Sequence, residues 1–251
     1  MQMRLLAVAV VLMAAACVVA QEEPVSKPAA TNSANLTPGF PTSIADNVVS
    51  PVNGFEFGLA GGYVTDGARY ETALLSLTYG ILDNLQLSGR WPVILGEGKV
   101  DGNGDTTLSL VWAPTDILGL ELAGRFPTGD GFTGYDGTIN GILTYPIDSV
   151  NLLANAAYTT VGNNTGDIER EHTDSFKVGA DYMALDNLCV IVDVFSDMAL
   201  VRGADRVEMI EVGGRYDLTD VDILSMGMAV GIGNGNATPE FVGTVGYQRE
   251  M

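Results

Sequence analysis

From residue 54 onward, apolar and polar positions alternate with a period of two, in segments of about ten residues separated by Gly, Asn and Asp clusters. One face of residues 85–93 carries Leu85, Leu87, Gly89, Trp91 and Val93, and the other carries Gln86, Ser88, Arg90 and Pro92. Residues 118–127 repeat this, with Leu118, Leu120, Leu122 and Phe126 set against Glu121, Arg125 and Pro127. In the same way Leu188, Val190, Val192 and Val194 oppose Asp193 and Asp197, and Ile210, Val212 and Tyr216 oppose Glu211 and Arg215. Because successive strand side chains point to opposite faces, the pattern predicts strands with one greasy face and one charged or small face.

Twelve such strands are predicted, over 54–64, 70–80, 85–95, 105–113, 118–127, 137–146, 150–160, 174–183, 188–198, 207–216, 221–233 and 239–248. A strand of this length crosses a bilayer when tilted, and no apolar run after Ala20 is long enough for a spanning helix. The expected fold is all-β, an antiparallel up-and-down transmembrane β-barrel of about 12 strands covering residues 54–251.

Magnitude decides which face points outward. Arg or Lys facing lipid at the midplane costs about 2–4 kcal/mol, so turning Arg90, Arg125, Lys177 and Arg215 outward would cost on the order of 10 kcal/mol. A slip of one residue in register would do that to each strand. The expected lumen-facing charges are therefore Glu56, Arg90, Glu121, Arg125, Lys177, Asp181, Asp193, Glu211 and Arg215. Glu56, Glu121, Asp181 and Arg215 are placed low, and Arg90, Arg125, Lys177, Asp193 and Glu211 nearer mid-height. Twelve strands tilted by about 40° enclose a backbone cylinder of roughly 24 Å, leaving about 10 Å between side chains. Such a lumen admits a small solute, yet opposite charges projecting into it can also pair and fill it.

An aromatic residue recurs just ahead of an Asp-bearing turn: Tyr79, Trp112, Tyr145, Tyr182 and Tyr216, with Tyr247 continuing the series. The intervals are 33, 33, 37, 34 and 31 residues, or two strands and a loop. Rings returning to the same end of every second strand predict an interfacial girdle. The connections alternate too. Short ones around Asp83, Asp116, Asp148, Asp186 and Asp220 read as periplasmic turns, and longer Gly/Asn/Asp-rich ones at 96–104, 128–136, 162–173, 199–206 and 234–238 as external loops.

Residues 1–20 read as a secretory signal peptide, with Arg4, an apolar stretch over 5–16 and Val18-Val19-Ala20 before the cleavage point. Ala14-Ala15-Ala16-Cys17 offers a lipoprotein alternative, against which Ala14 stands where Leu is usual. Residues 21–53 hold Pro24, Pro28, Pro38, Pro41 and Pro51 among small polar residues and read as a Pro-rich flexible N-terminal segment, or as a plug if 36–49 enters the lumen. Loss of Cys17 with the signal leaves Cys189 alone, so no intramolecular disulfide is expected. A net charge of −19 argues against nucleic-acid partners. The expected partners are outer-membrane lipid, a small-molecule solute and the barrel-assembly machinery, for a monomer in the outer membrane of a Gram-negative-type bacterium.

Catalytic readings find little purchase. His172, the sole histidine, lies in Glu171-His172-Thr173-Asp174-Ser175, and a lone loop histidine reads as solvated surface. Asp101-Gly102-Asn103-Gly104-Asp105 matches the start of a calcium loop, but Thr106 replaces the required Gly and Trp112 stands at the place of the bidentate Glu, so a Gly-rich hairpin loop is the simpler account. No catalytic residue, metal or cofactor is expected.

The Pro-rich segment leading into Gly54-Phe55-Glu56-Phe57, the Gly102-Asn103-Gly104-Asp105 approach to a strand ending in Trp112, and Phe126-Pro127-Thr128-Gly129-Asp130 together resemble the outer-membrane family labelled for the meta-pathway of phenol degradation. The resemblance covers most of the chain beyond residue 20, and the order and spacing of the motifs carry it. It implies a transporter-like outer-membrane barrel with no catalytic residues to carry over. The chain departs from the wider outer-membrane pattern by ending Gly246-Tyr247-Gln248-Arg249-Glu250-Met251, without a terminal aromatic. The expected function is passive passage or binding of a small solute, an aromatic one among the candidates; the rival is a closed structural or surface-interaction barrel.

Overall fold

The computed structural model describes residues 45–46, 49–66, 68–95, 102–129, 134–162, 171–200, 203–233 and 238–251. The strands are β1 (Phe55–Asp66), β2 (Ala68–Leu82), β3 (Leu85–Leu95), β4 (Gly102–Asn103), β5 (Thr106–Trp112), β6 (Leu118–Phe126), β7 (Asp136–Ile147), β8 (Val150–Thr160), β9 (His172–Leu185), β10 (Leu188–Asp197), β11 (Val207–Asp217), β12 (Asp222–Gly231) and β13 (Phe241–Glu250). Twelve of them form a closed antiparallel ring in sequence order, in which β13 pairs with β1 and β2 with β3. The two-residue β4 lies against the far end of β3 alone. Closure leaves no unpaired edge, which satisfies the backbone groups inside a bilayer.

Strand bounds differ from expectation mainly where a hairpin is tighter or looser than composition suggested. The first hairpin closes with Asp66 opposite Ala68, so β2 starts at Ala68 instead of residue 70. β9 extends to His172 and Leu185, because Thr160 pairs with His172 and Leu188 with Leu185. β13 runs to Glu250, and Met251 and Phe55 exchange backbone hydrogen bonds of 2.7 and 3.0 Å. At Asp148, φ is 52°, the left-handed conformation that the two-residue Asp148-Ser149 turn requires and that Asp tolerates.

Outward positions are apolar around the ring. Leu59 on β1, Leu122 on β6, Val178 on β9, Met226 on β12 and Val245 on β13 are each about half exposed or more. Soluble monomers rarely expose an apolar patch beyond a few hundred Å², so a belt of this extent is a lipid-facing surface. The crossing elements are strands, and no helix among the described residues is long and apolar enough to cross.

The turns at 83–84, 113–117, 148–149, 186–187 and 218–221 share one end of the barrel, and the other end carries the longer connections together with the one-residue link between Asp66 and Ala68. An epitope inserted at Asn164, which lies outside the described residues, should be labelled on intact cells, and one at Asp186 should not. Labelling of both, or the reverse, would invert the orientation assigned here.

Candidate functional site

The inward face is built by the strand pleat, and it has two sectors. From β2 to β7 it is polar, with Ser76, Thr78, Gln86, Ser88, Arg90, Ser109, Glu121, Asn140 and Thr144 facing inward and, Arg90 apart, buried. From β8 to β12 charged and amide side chains, among them Asn155, Asp181, Asp193 and Arg215, alternate with apolar ones. Leu153, Cys189 and Ile191 form one cluster with Met183, and Phe195, Met209 and Ala229 form another with Val207 and Val242. The expectation of a charged or small inner face on every strand is corrected here. β10 is apolar on both faces apart from Asp193, Ser196 and Asp197, and a strand of that kind gives alternation little to work on.

The expected lumen charges lie on the inward face and fall into local groups. Arg90 Nη2 lies 3.4 Å from Glu121 Oε1, and Asn140 Nδ2 donates to Glu121 Oε2 at 3.2 Å. Asp193 is opposite Glu211 in register, and Lys177, opposite Phe195, places its Nζ 5.5 Å from that ring centroid. Asp181 Oδ1 accepts from Asn151 Nδ2 at 2.8 Å. Arg215, 5% exposed, has its Nε 3.5 Å from Asp217 Oδ1. Glu56 accepts from Ser50 Oγ at 2.5 Å and from Gln248 Nε2 at 3.2 Å.

Arg125 departs from its expected height. It lies one residue from the long-loop end of β6, where it pairs with Asp136 and, at 3.7 Å, with Asp105. Register climbs around a sheared barrel, so residues at similar distances from their turns sit at different levels. Asp105 also accepts from the Gly129 N–H at 3.1 Å, which employs its carboxylate in tying two loops together; Asp101 lies outside the described residues. His172 stacks on Tyr158 with ring centroids 5.5 Å apart.

The aromatic series occupies the outward face near the short turns. Trp112, Tyr145 and Tyr216 are exposed, while Tyr79, Tyr182 and Tyr247 are half-buried among their neighbours. Tyr79 donates to Asn53 Oδ1 at 2.9 Å and packs on Phe55 with centroids 4.6 Å apart; Tyr247 donates to Asp222 Oδ1 at 2.5 Å. A second outward set, unremarked in the sequence, stands nearer the long loops. There Trp91, Phe126 and Phe241 fold over Gly89, Gly124 and Gly243, where an added Cβ would come within 2.9, 3.3 and 3.2 Å of the rings. Six residues separate Phe176 from Tyr182 and Phe241 from Tyr247, about 20 Å along a strand.

Part of the segment before β1 lies inside the ring. Asn155 on β8 brackets Ala45, accepting its N–H at 2.7 Å and donating to its carbonyl at 2.9 Å. Ala45 and Val49 pack on Val111 and Ile142. Ser50 N donates to Gln86 Oε1 at 2.8 Å, and Asp46 and Ser50 are both buried. Val52 makes a parallel bridge to Gly80. Gly80 is required for this approach, since a Cβ there would meet the carbonyl oxygen of Pro51 at 2.0 Å. The rest of 21–53 lies outside the described residues. Sequence reasoning had no signal for Asn155 or Gln86, whose partners are 110 and 36 residues away.

No protein-family model and no curated protein matches the chain. Solved structures of similar fold do. An outer-membrane channel from Pseudomonas putida F1 superposes with a TM-score of 0.66 at 16% identity, covering 81% of this chain and 97% of that one. The NanC porin gives 0.58 at 12% identity, covering 78% and 100%. The Pseudomonas putida toluene transporter TodX gives 0.53 at 9% identity, covering 80% and 90%. At these identities the likeness concerns the fold. Together with the closed ring and its apolar belt, it makes the chain a twelve-stranded β-barrel of the outer-membrane type.

Proposed function

We propose that the barrel is a passive outer-membrane channel whose narrow lumen passes or binds a small solute, with the segment around residues 45–53 narrowing its periplasmic half. The observation that carries this reading is a lumen of mixed character: charged and amide side chains line it on every side, and two apolar clusters, around Ile191 and around Met209, stand among them between β8 and β13. A narrow path with apolar patches set between charged and amide groups suits a small solute with an apolar body and a polar end better than a bulky polar one. The resemblance to the phenol-degradation family and the fold shared with a toluene transporter agree with an aromatic solute. The lumen charges would shape selectivity, the outward tyrosines and Trp112 would anchor the periplasmic interface, and the chain would act as a monomer inserted by the barrel-assembly machinery.

A second reading has its own support. The Arg90–Glu121 and Arg125–Asp136 pairs, with the docked N-terminal residues, are also what a filled, closed barrel would contain. Single-channel recording in planar bilayers separates the two. The full-length protein should show a small unitary conductance, and a variant lacking residues 21–50 a larger one. Silence from both proteins, correctly folded by heat-modifiable mobility, would favour the structural barrel.

A further inference from the structure

Two successive inward rows on the wall from β11 to β1 are almost without side chains. One runs Arg215, Ser225, Gly246, Ala60, and the next, towards the long loops, runs Gly213, Gly227, Thr244, Gly62. In the ring of twelve, β13 is six strands from β7, so this thin wall lies across the lumen from β3, β5, β7 and β8, which hold Ala45, Val49 and Ser50. The docked segment is held on that side by Asn155 and Gln86 and reaches β1 through Ser50 Oγ and Glu56, while the two rows of small residues leave the wall between β11 and β1 thin.

Arg215 is the one long side chain in those two rows and stands at their periplasmic end. It is 95% buried (5% exposed), and its Nη2 has no hydrogen-bond partner among the described residues. Its Nε is held by Asp217, and Glu56, Asp181 and Glu250 lie within electrostatic range. Beside it in register are Cys189 and, one row on, Ile191, part of the apolar cluster.

We propose that Arg215 is the specificity-determining residue of the lumen, donating from Nη2 to the oxygen of a small neutral solute whose apolar body lies along the Gly213–Gly227 wall. This rests on the channel reading above and names its solute class. A buried N–H lacking an acceptor is costly, so a solute oxygen placed there gains more than one in open water. The sign of the surroundings selects neutrality. An anion would enter a neighbourhood already richer in carboxylates than in guanidinium, and a cation would be set against Arg215 itself. A solute without an oxygen would leave Nη2 unpaired, and sites that depend on a buried hydrogen bond discriminate strongly against analogues that lack it.

Calorimetric titration of the full chain in detergent tests this with four probes of similar size: benzamide, benzoate, benzylamine and toluene. Benzamide should bind most tightly, and Arg215→Met should weaken it about tenfold or more while leaving toluene within about twofold. Arg215→Lys, which keeps the charge and loses the fork, should lie between and serves if the Met variant fails to give heat-modifiable barrel. Benzoate binding more tightly than benzamide would replace the neutral site by an anion site. Benzamide affinity unchanged by either substitution would overturn the role of Arg215, while conductance in the separate bilayer experiment would leave the channel intact.

Discussion

Alanine at Gly80 should raise the unitary conductance to near that of the protein lacking residues 21–50, with the barrel still folded. The added Cβ would lie 2.0 Å from the Pro51 oxygen, 2.6 Å from that of Ser50 and 2.7 Å from the Pro51 carbonyl carbon, all backbone atoms that no rotamer change can move. Relief requires the segment to lift. Lifting gives up the Ser50 bonds to Gln86 and Glu56 and threatens the Asn155 bracket on Ala45, each worth about 0.5–1.5 kcal/mol. The apolar contacts of Ala45 and Val49 with Val111 and Ile142 would loosen as well. Limited proteolysis gives a second readout, since a lifted segment becomes cleavable between residues 45 and 53. Unaltered conductance together with unaltered protection would mean that the segment does not narrow the path.

The double substitution Arg90→Ala with Arg125→Ala should make the channel more cation-selective and also less stable. Arg90 neutralises Glu121, which is 6% exposed, and removing one partner of a buried pair typically costs about 3–5 kcal/mol. Arg125 contributes less, because its side chain is 30% exposed and solvent screens it, although buried Asp105 would lose its nearest cation. In a wet, narrow lumen the uncompensated carboxylates act on a passing ion over a few ångströms with little screening. The reversal potential in a salt gradient should therefore shift towards the cation value as the melting temperature falls. A drop in stability with no conductance before or after substitution would point to the structural barrel.

How far the sequence reached depends on the range of the interaction concerned. The period-two pattern is local, and the register follows it closely: Leu118, Leu120 and Leu122 are opposite Leu143, Gly141 and Ile139 on the outer face, while Glu121 is opposite Asn140 within. The energetic penalty for a charge in lipid is large enough to fix the face without knowledge of neighbours, and Arg90, Lys177 and Arg215 are inside. β10 was less legible because Val190, Ile191, Val192, Val194 and Phe195 are apolar on both faces, so its inward cluster with Leu153 and Met183 could be seen only once β8 to β10 were side by side.

The amino-acid order alone determined strand number, the outward face and the end at which the rings of Tyr79, Trp112, Tyr145, Tyr182, Tyr216 and Tyr247 stand, because each follows from the two-residue pleat and the spacing of turns. Tertiary structure decided the partners. Arg90 meets Glu121 across 31 residues, and Ala45 meets Asn155 across 110, through ring closure and a shear that no local pattern encodes. The glycine rows behind Arg215 belong to the same class: Gly213, Gly227, Gly246 and Gly62 are scattered along the chain and become one wall only when β13 closes onto β1.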